Sequence, residues 1–204
     1  TQGVSSAASD VYKRQTSDTY VGTDGVTVPG VTDRHVYAQT HPALRGKDVP
    51  MVFQTYAEVE FLKAEAAIRG WISSSAKEHY DKGVTAAMKM LKQLYPASTA
   101  ITDAEISAYL AGPGAYDASK GWEMAMNEYW KATFLNEYEA YANWRRTGYP
   151  TLTPTKHPNS VSNNQIFRRM IYPGGESATN GDNYAAAVAR QGADDFTTRM
   201  WWDK

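Results

Sequence analysis

The chain has no cysteine, no apolar run approaching the roughly 20 residues that a membrane-spanning helix needs, and almost no net charge. Without cysteine there is no disulfide scaffold, no thiolate zinc site and no cysteine nucleophile. The 21 basic and 22 acidic side chains leave a formal charge of -1, so nothing electrostatic points to a nucleic-acid partner or a polybasic membrane anchor. His35, His41, His79 and His157 are scattered, with no His-Glu-x-x-His pair and no acidic loop of calcium-binding pattern. No serine sits in Gly-x-Ser-x-Gly, and the glycines around Gly22-Thr23-Asp24-Gly25 do not make a phosphate loop. The residues thus imply no cofactor and no metal. What is present is ordinary globular material: 204 residues, 42% of them hydrophobic, enough for one domain with a substantial core.

Residues 1–15 have neither helical nor strand periodicity and lack the charged and apolar regions of a secretory signal. They read either as translated sequencing-adapter sequence or as a native flexible segment, and residues 16–204 as the C-terminal portion of one domain. From Thr16 to Pro50 the chain is rich in Gly, Thr, Asp and Pro, with Val26-Thr27-Val28 as its one extended piece. Between Phe53 and Trp71, Tyr56, Val59, Leu62, Ala66 and a second row, Phe61, Ala64, Ile68, recur at three- and four-residue steps, which predicts a helix stopped by Gly70. A serine among Ser73 to Ser75 caps a second helix reaching Leu94. The two make an antiparallel hairpin, and Ala76, Tyr80 and Gly83 give its second helix the spacing of a tetratricopeptide unit. Thr102-Asp103-Ala104-Glu105 caps a short helix ended by Gly112-Pro113-Gly114. A long amphipathic helix is expected from Ala118 to Arg145, then shorter helices near Gln165–Met170 and Ala178–Arg190. The fold class is therefore mainly α, a tetratricopeptide-like hairpin with further helices and long irregular loops, and little or no sheet.

Trp122, Met126, Trp130, Phe134, Tyr138 and Tyr141 form one stripe on the long helix, and that regularity assigns Trp130, Phe134 and Tyr138 to packing. Aromatics in loops suit ligand stacking better, because no periodicity demands their burial. Tyr37, Tyr109, Tyr116 and Tyr149 are those candidates, each also readable as a surface-packed loop residue. Arg145, Arg146, Arg168 and Arg169 read as structural, paired with Glu137, Glu139, Glu176 and Asp203. A carboxylate pair for glycoside hydrolysis stays open, drawn from Glu58, Glu60, Glu65, Asp117, Glu123 or Glu128, as does a tetratricopeptide-type adaptor gripping a peptide.

Three blocks carry a family resemblance: Tyr56 to Ala66; Asn143-Trp144-Arg145-Arg146-Thr147-Gly148-Tyr149-Pro150; and Ile166 to the end, closing on Thr198-Arg199-Met200-Trp201-Trp202-Asp203. Together they resemble the C-terminal part of SusD/RagB proteins, surface nutrient-binding lipoproteins of Bacteroidetes. The resemblance implies tetratricopeptide-like helix pairs against a loop-rich half, non-enzymatic capture of oligosaccharides or other nutrients, and a SusC-like TonB-dependent transporter as partner. It also implies the outer-membrane cell surface as location, reached through a lipid anchor upstream of this sequence. Most glycan contacts of the family lie upstream too, and its known Ca²⁺ site has no matching motif here. The tail, with two adjacent indoles, is expected to dock on the domain.

Overall fold

The computed structural model describes Leu44 and residues 47–96, 98, 100–154, 156 and 158–203. The 1–15 leader, the Val26-Thr27-Val28 piece and Tyr37 lie outside the described residues. Among those described there are seven α-helices and no strand, in two compact units, Thr1–Glu137 and Tyr138–Lys204.

The first unit is built on the expected hairpin. Thr55 and Glu58 form a capping box at the start of α1 (Tyr56–Ile68), satisfying backbone N–H groups that a helix start leaves unpaired. Its end is a Schellman motif: Gly70, at φ +73°, bonds its N–H to Ala67 O, and Trp71 bonds to Ala66 O. Ser75 caps α2 (Ala76–Leu94), and Thr102 with Glu105 makes a second capping box on α3 (Asp103–Ala111). A 3-10 turn (Ala118–Lys120), capped by Asp117, leads into α4 (Gly121–Ala132). Helices α1, α2 and α4 pack on one another around Phe61, Tyr80, Val84, Met126 and Tyr129. Phe61 meets Tyr80 and Tyr129 edge-on at 6.3 and 6.4 Å, and Gly83 lies directly against the Phe61 ring.

The single helix expected from Ala118 to Arg145 is two helices. Thr133 turns its hydroxyl back onto the carbonyls of Tyr129 and Trp130, Asn136 N–H bonds to Thr133 O, and Leu135 takes φ +71°. The chain therefore breaks between Ala132 and Glu137. The buried residues of α4 are Gly121, Ala125, Met126, Glu128, Tyr129 and Ala132, so the expected stripe keeps Met126 in the core while Trp130 and Tyr138, assigned to packing, lie off it. Trp130 is partly exposed and Tyr138 is 88% exposed.

The second unit opens with α5 (Glu137–Thr147), stopped at Gly148 with φ +79°, and later carries α6 (Glu176–Thr179) and α7 (Gly181–Gln191). No helix forms over Gln165–Met170. Asn163 and Asn164 adopt left-handed φ of 53° and 60°, Ser162 donates to Gln165 O, and Arg168 N–H bonds to Phe196 O instead of closing a helical turn.

Candidate functional site

The N-terminal end of α1 and the outer face of α2 enclose a cleft of about 470 Å³. On α2, Asp81, Thr85, Lys89 and Gln93 follow at steps of four, with Lys82, Ala86 and Met90 beside them, so one helix face lines one wall. Thr55, Tyr56 and Ala57 line the other. The capping box fixes this end of α1, and the Tyr56 ring remains 59% exposed. Asp81 accepts from Lys77 at 2.5 Å through Oδ2, while its Oδ1 is buried with no hydrogen-bond partner among the described residues. Lys89 pairs with Asp103 at 2.7 Å, and Lys82 with Glu78 at 2.6 Å. An aromatic face, an Ala-Met floor and a rim of carboxylate, amide and hydroxyl groups suit a neutral polar ligand with an apolar ring face. Sequence reasoning missed this site because Tyr56 counted as one position in an apolar row. The ladder Asp81, Thr85, Lys89, Gln93 was the available signal.

In the first unit, Tyr109, which lies on α3, and Tyr116 do not line the cleft. Tyr109, only 4% exposed, is a packing residue: its hydroxyl donates to Glu128 Oε1 at 2.6 Å and Lys131 caps the same oxygen at 2.6 Å. Burial, helped by the Glu128 charge, pushes its phenol upward, so it remains a donor. Tyr116 is half-buried with its ring 5.2 Å from Tyr80. Tyr149 belongs to the second unit, half-buried beside Thr147 and joined to Pro150 by a cis peptide.

Of the six acidic residues considered for hydrolysis, all but the exposed Glu123 are occupied. Glu58 caps α1, Glu65 accepts from Arg69 at 2.9 Å, Asp117 caps the 3-10 turn, and Glu128 holds Tyr109 and Lys131. Burial alone would raise Glu60, but hydrogen bonds from His79, Lys63 and Tyr56 outweigh it and hold the carboxyl at about 2. Asp117 is also held below its ordinary range, by the Ser119 hydroxyl and N–H. No three His, Asp or Glu residues among those described are grouped to hold a metal ion.

In the second unit the arginines build a stacked array. The Arg145 guanidinium lies 4.2 Å from the Tyr141 ring and 4.6 Å from Trp202, and donates to Arg168 O at 2.8 Å. Arg168 stacks on Trp144 at 4.1 Å and pairs with Asp203 at 3.0 Å. Asp203 was an expected partner; Asp194 was not, yet it takes Arg169 at 3.0 Å together with the Tyr172 N–H and Tyr184 hydroxyl. The tail docks through Trp202 and Asp203, but Trp201 is 85% exposed, because Met200 O and Asp203 N–H close a turn that swings it outward.

A family of SusD-like proteins, described as starch-binding and associating with the outer membrane, matches residues 6–173. This chain belongs to the SusD-like family. Among solved structures, a chitin-binding protein is 36% identical with a TM-score of 0.73, over 82% of this chain and 37% of its own. A Bacteroidetes AC2a SusD-like protein is 34% identical with a TM-score of 0.77, over 86% of this chain and 35% of its own. A SusD homologue from Bacteroides fragilis NCTC 9343 is 31% identical with a TM-score of 0.62, over 73% and 34%. The SusD-like chain thus spans a little over a third of the length of these relatives, and its all-α architecture is theirs. No curated protein matches the chain. Among the described residues of the SusD-like chain, no helix is long and apolar enough to cross a membrane.

Proposed function

We propose that this chain serves a cell-surface protein of the outer membrane that captures oligosaccharides without hydrolysing them and delivers them to a SusC-like TonB-dependent transporter. Residues 16–204 would be the C-terminal portion of one SusD-like domain, lipid-anchored in the complete protein. The carrying observation is the family match over residues 6–173, with its starch-binding description, supported by the chitin-binding relative. The acidic groups favour binding over hydrolysis: a glycosidase acid needs a raised pKa, whereas Glu60 and Asp117 are held low. In the cleft, Tyr56 would stack on a sugar ring, with Asp81 and Gln93 taking its hydroxyls. Tyr116 and Tyr149 are further contacts on this reading, and so is Tyr37.

The test is calorimetric titration of the protein, expressed from its complete reading frame, with maltoheptaose and chitohexaose, alongside product analysis. Binding of one sugar without cleavage is expected, with Tyr56→Ala weakening it about tenfold, the worth of one good stacking contact. Turnover that vanishes when a carboxylate pair is neutralised overturns the reading, and so does failure to bind either sugar. Failure to co-purify with a SusC-like TonB-dependent transporter would remove the delivery step alone.

A further inference from the structure

Of the eight asparagines in the chain, Asn180 alone is followed by glycine; the others precede Glu, Trp, Ser, Asn, Gln or Tyr. A side chain at the following position crowds attack of that residue's nitrogen on the asparagine carboxamide, and Gly181 has none. The fold puts this pair at the corner where α6 ends and α7 begins, with Asn180 making no side-chain cap bond to α7. Neither helix has a buried residue; α6 is a single turn, and α7, with 11 residues, is shorter than the roughly 12–15 at which an isolated helix becomes stable. The corner therefore opens locally at little cost, which gives the backbone the rotation that ring closure requires. A Cβ at Gly181 would meet nothing within 4 Å, and as the first residue of α7 its N–H has no intrahelical carbonyl. The carboxamide is held only by two exposed bonds, Nδ2 donating to Glu176 Oε2 at 3.2 Å and Oδ1 accepting from Asn183 Nδ2 at 2.7 Å.

We infer that Asn180 is a modification site, where the chain deamidates spontaneously to aspartate and isoaspartate at the corner of α6 and α7. The Gly181 nitrogen loses its proton to a base in solution and attacks Asn180 Cγ. The N–Cγ bond forms, the Cγ–Nδ2 bond breaks, and Nδ2 takes up a proton and leaves as ammonia. The Asn183 amide already donates to Oδ1, where negative charge gathers during the attack. Water then opens the cyclic imide at one carbonyl to give aspartate and at the other to give isoaspartate. Either product places a carboxylate where Nδ2 had donated to Glu176, adding one negative charge beside Glu176 and Asp182. Isoaspartate also lengthens the main chain by one carbon and so disturbs the bond from Tyr184 N–H to Asn180 O that closes the first turn of α7. The Tyr184 hydroxyl reaches Asp194, the partner of Arg169, so the modification loosens the attachment of α7 to that ion pair.

The experiment holds the folded wild-type protein and Gly181→Ala in mildly alkaline buffer for several days, beside wild-type chain unfolded in urea. The tryptic peptide from Met170 to Arg190 is followed by mass spectrometry, with fragment ions placing the change at Asn180 or Asn183, and isoaspartyl methyltransferase labelling reads the isomerised product. Conversion of folded wild type is expected at Asn180 ahead of the other seven asparagines, with isoaspartate among the products and an acidic shift of one charge on isoelectric focusing. Gly181→Ala, whose added methyl fits without a clash, should slow it severalfold. Folded protein that keeps its amide at Asn180 while the unfolded chain loses it overturns the inference, because the fold then shields the corner. Earlier conversion at another asparagine, or equal rates in wild type and Gly181→Ala, overturns it as well.

Discussion

Replacing Gly83 with alanine tests the packing of the first unit, because two known effects oppose each other there. In an open helix the change stabilises by about 1 kcal/mol, since glycine loses more backbone freedom on folding. At Gly83 an added Cβ would meet three Phe61 ring atoms at 2.7, 2.9 and 2.9 Å. That ring cannot swing away: it is fully buried and wedged edge-on by Tyr80 and Tyr129. Overpacking a core costs about 1 to 3 kcal/mol, and three contacts inside 3 Å put this site at the upper end. The net expectation is destabilisation by about 2 kcal/mol, roughly a thirtyfold shift in the folding equilibrium. Urea unfolding followed by far-ultraviolet circular dichroism reads it as a lower midpoint at unchanged slope. Gly181→Ala, on α7 with nothing within 4 Å of its added Cβ, is the control and should be neutral or stabilising. Phe61→Leu combined with Gly83→Ala should cost less than the two changes summed, because the leucine vacates the ring volume. A Gly83→Ala protein as stable as wild type, or strict additivity in the double variant, refutes the wedge.

Glu60→Gln should destabilise the protein by about 1 to 2 kcal/mol at neutral pH, the shift to about 2 being discounted because the Lys63 partner is half-exposed. A lowered carboxylate stabilises the fold above its ordinary value of 4.5 and loses that contribution as pH falls towards 2, so wild type and variant should converge across this window in urea midpoints taken at several pH values. Asp203→Asn leaves Arg168 facing no carboxylate in a buried array and should cost about 3 kcal/mol, whereas Arg199→Ala, which removes a half-exposed side chain, should cost under about 1 kcal/mol; near-ultraviolet dichroism of the tryptophans separates them. Tyr109→Phe removes the donor that Glu128 holds at 2.6 Å and should cost about 1 to 2 kcal/mol of thermal stability.

The first three helices were legible because their signals are local: Gly70 stops α1, a serine at 73–75 caps α2, Thr102 caps α3, and the Phe61, Ala64 row supplies the core. The break after Ala132 was not, since it depends on Thr133 bonding backward and Leu135 accepting a left-handed φ, with no Gly or Pro to mark it. Periodicity likewise gave Trp122, Trp130 and Tyr138 a shared face and assigned Trp130 and Tyr138 to packing, whereas Trp130 is partly exposed and Tyr138 almost wholly so. Tyr80, Phe61 and Tyr129 decide together, from three different helices, which side of α4 faces the core. Asp194 could not be paired from sequence with Arg169, because the link is made by a chain path and not by a spacing. The candidate cleft shares this difficulty: Tyr56 and Gln93 are neighbours only because the hairpin folds antiparallel. The described loop tyrosines were chosen for lying outside any period, and one of them, Tyr109, is instead held in the core by Glu128.

The second unit gives a physical account of the blocks that carried the family resemblance. Among its described residues the buried ones are Asn143, Trp144, Arg169 and Asp203, so it has no aliphatic core to speak of. Its cohesion comes from stacking: Tyr141, Arg145 and Trp202 in one row, Trp144, Arg168 and Asp203 in another, with the Arg145 side chain tying the rows through Arg168 O. Each of the blocks 143–150, 166–173 and 198–203 contributes to this array, which ties three distant stretches of sequence together in one place. Planar guanidinium groups between aromatic rings need both the ring and the fork, so lysine or leucine at these positions would not substitute. A signature made of Arg, Trp and Asp therefore marks a way of holding a loop-rich unit together, and its chemistry requires no ligand. The first unit is held differently, by a core of Phe61, Tyr80 and Val84 that leaves the Tyr56 ring at the cleft free of any packing duty.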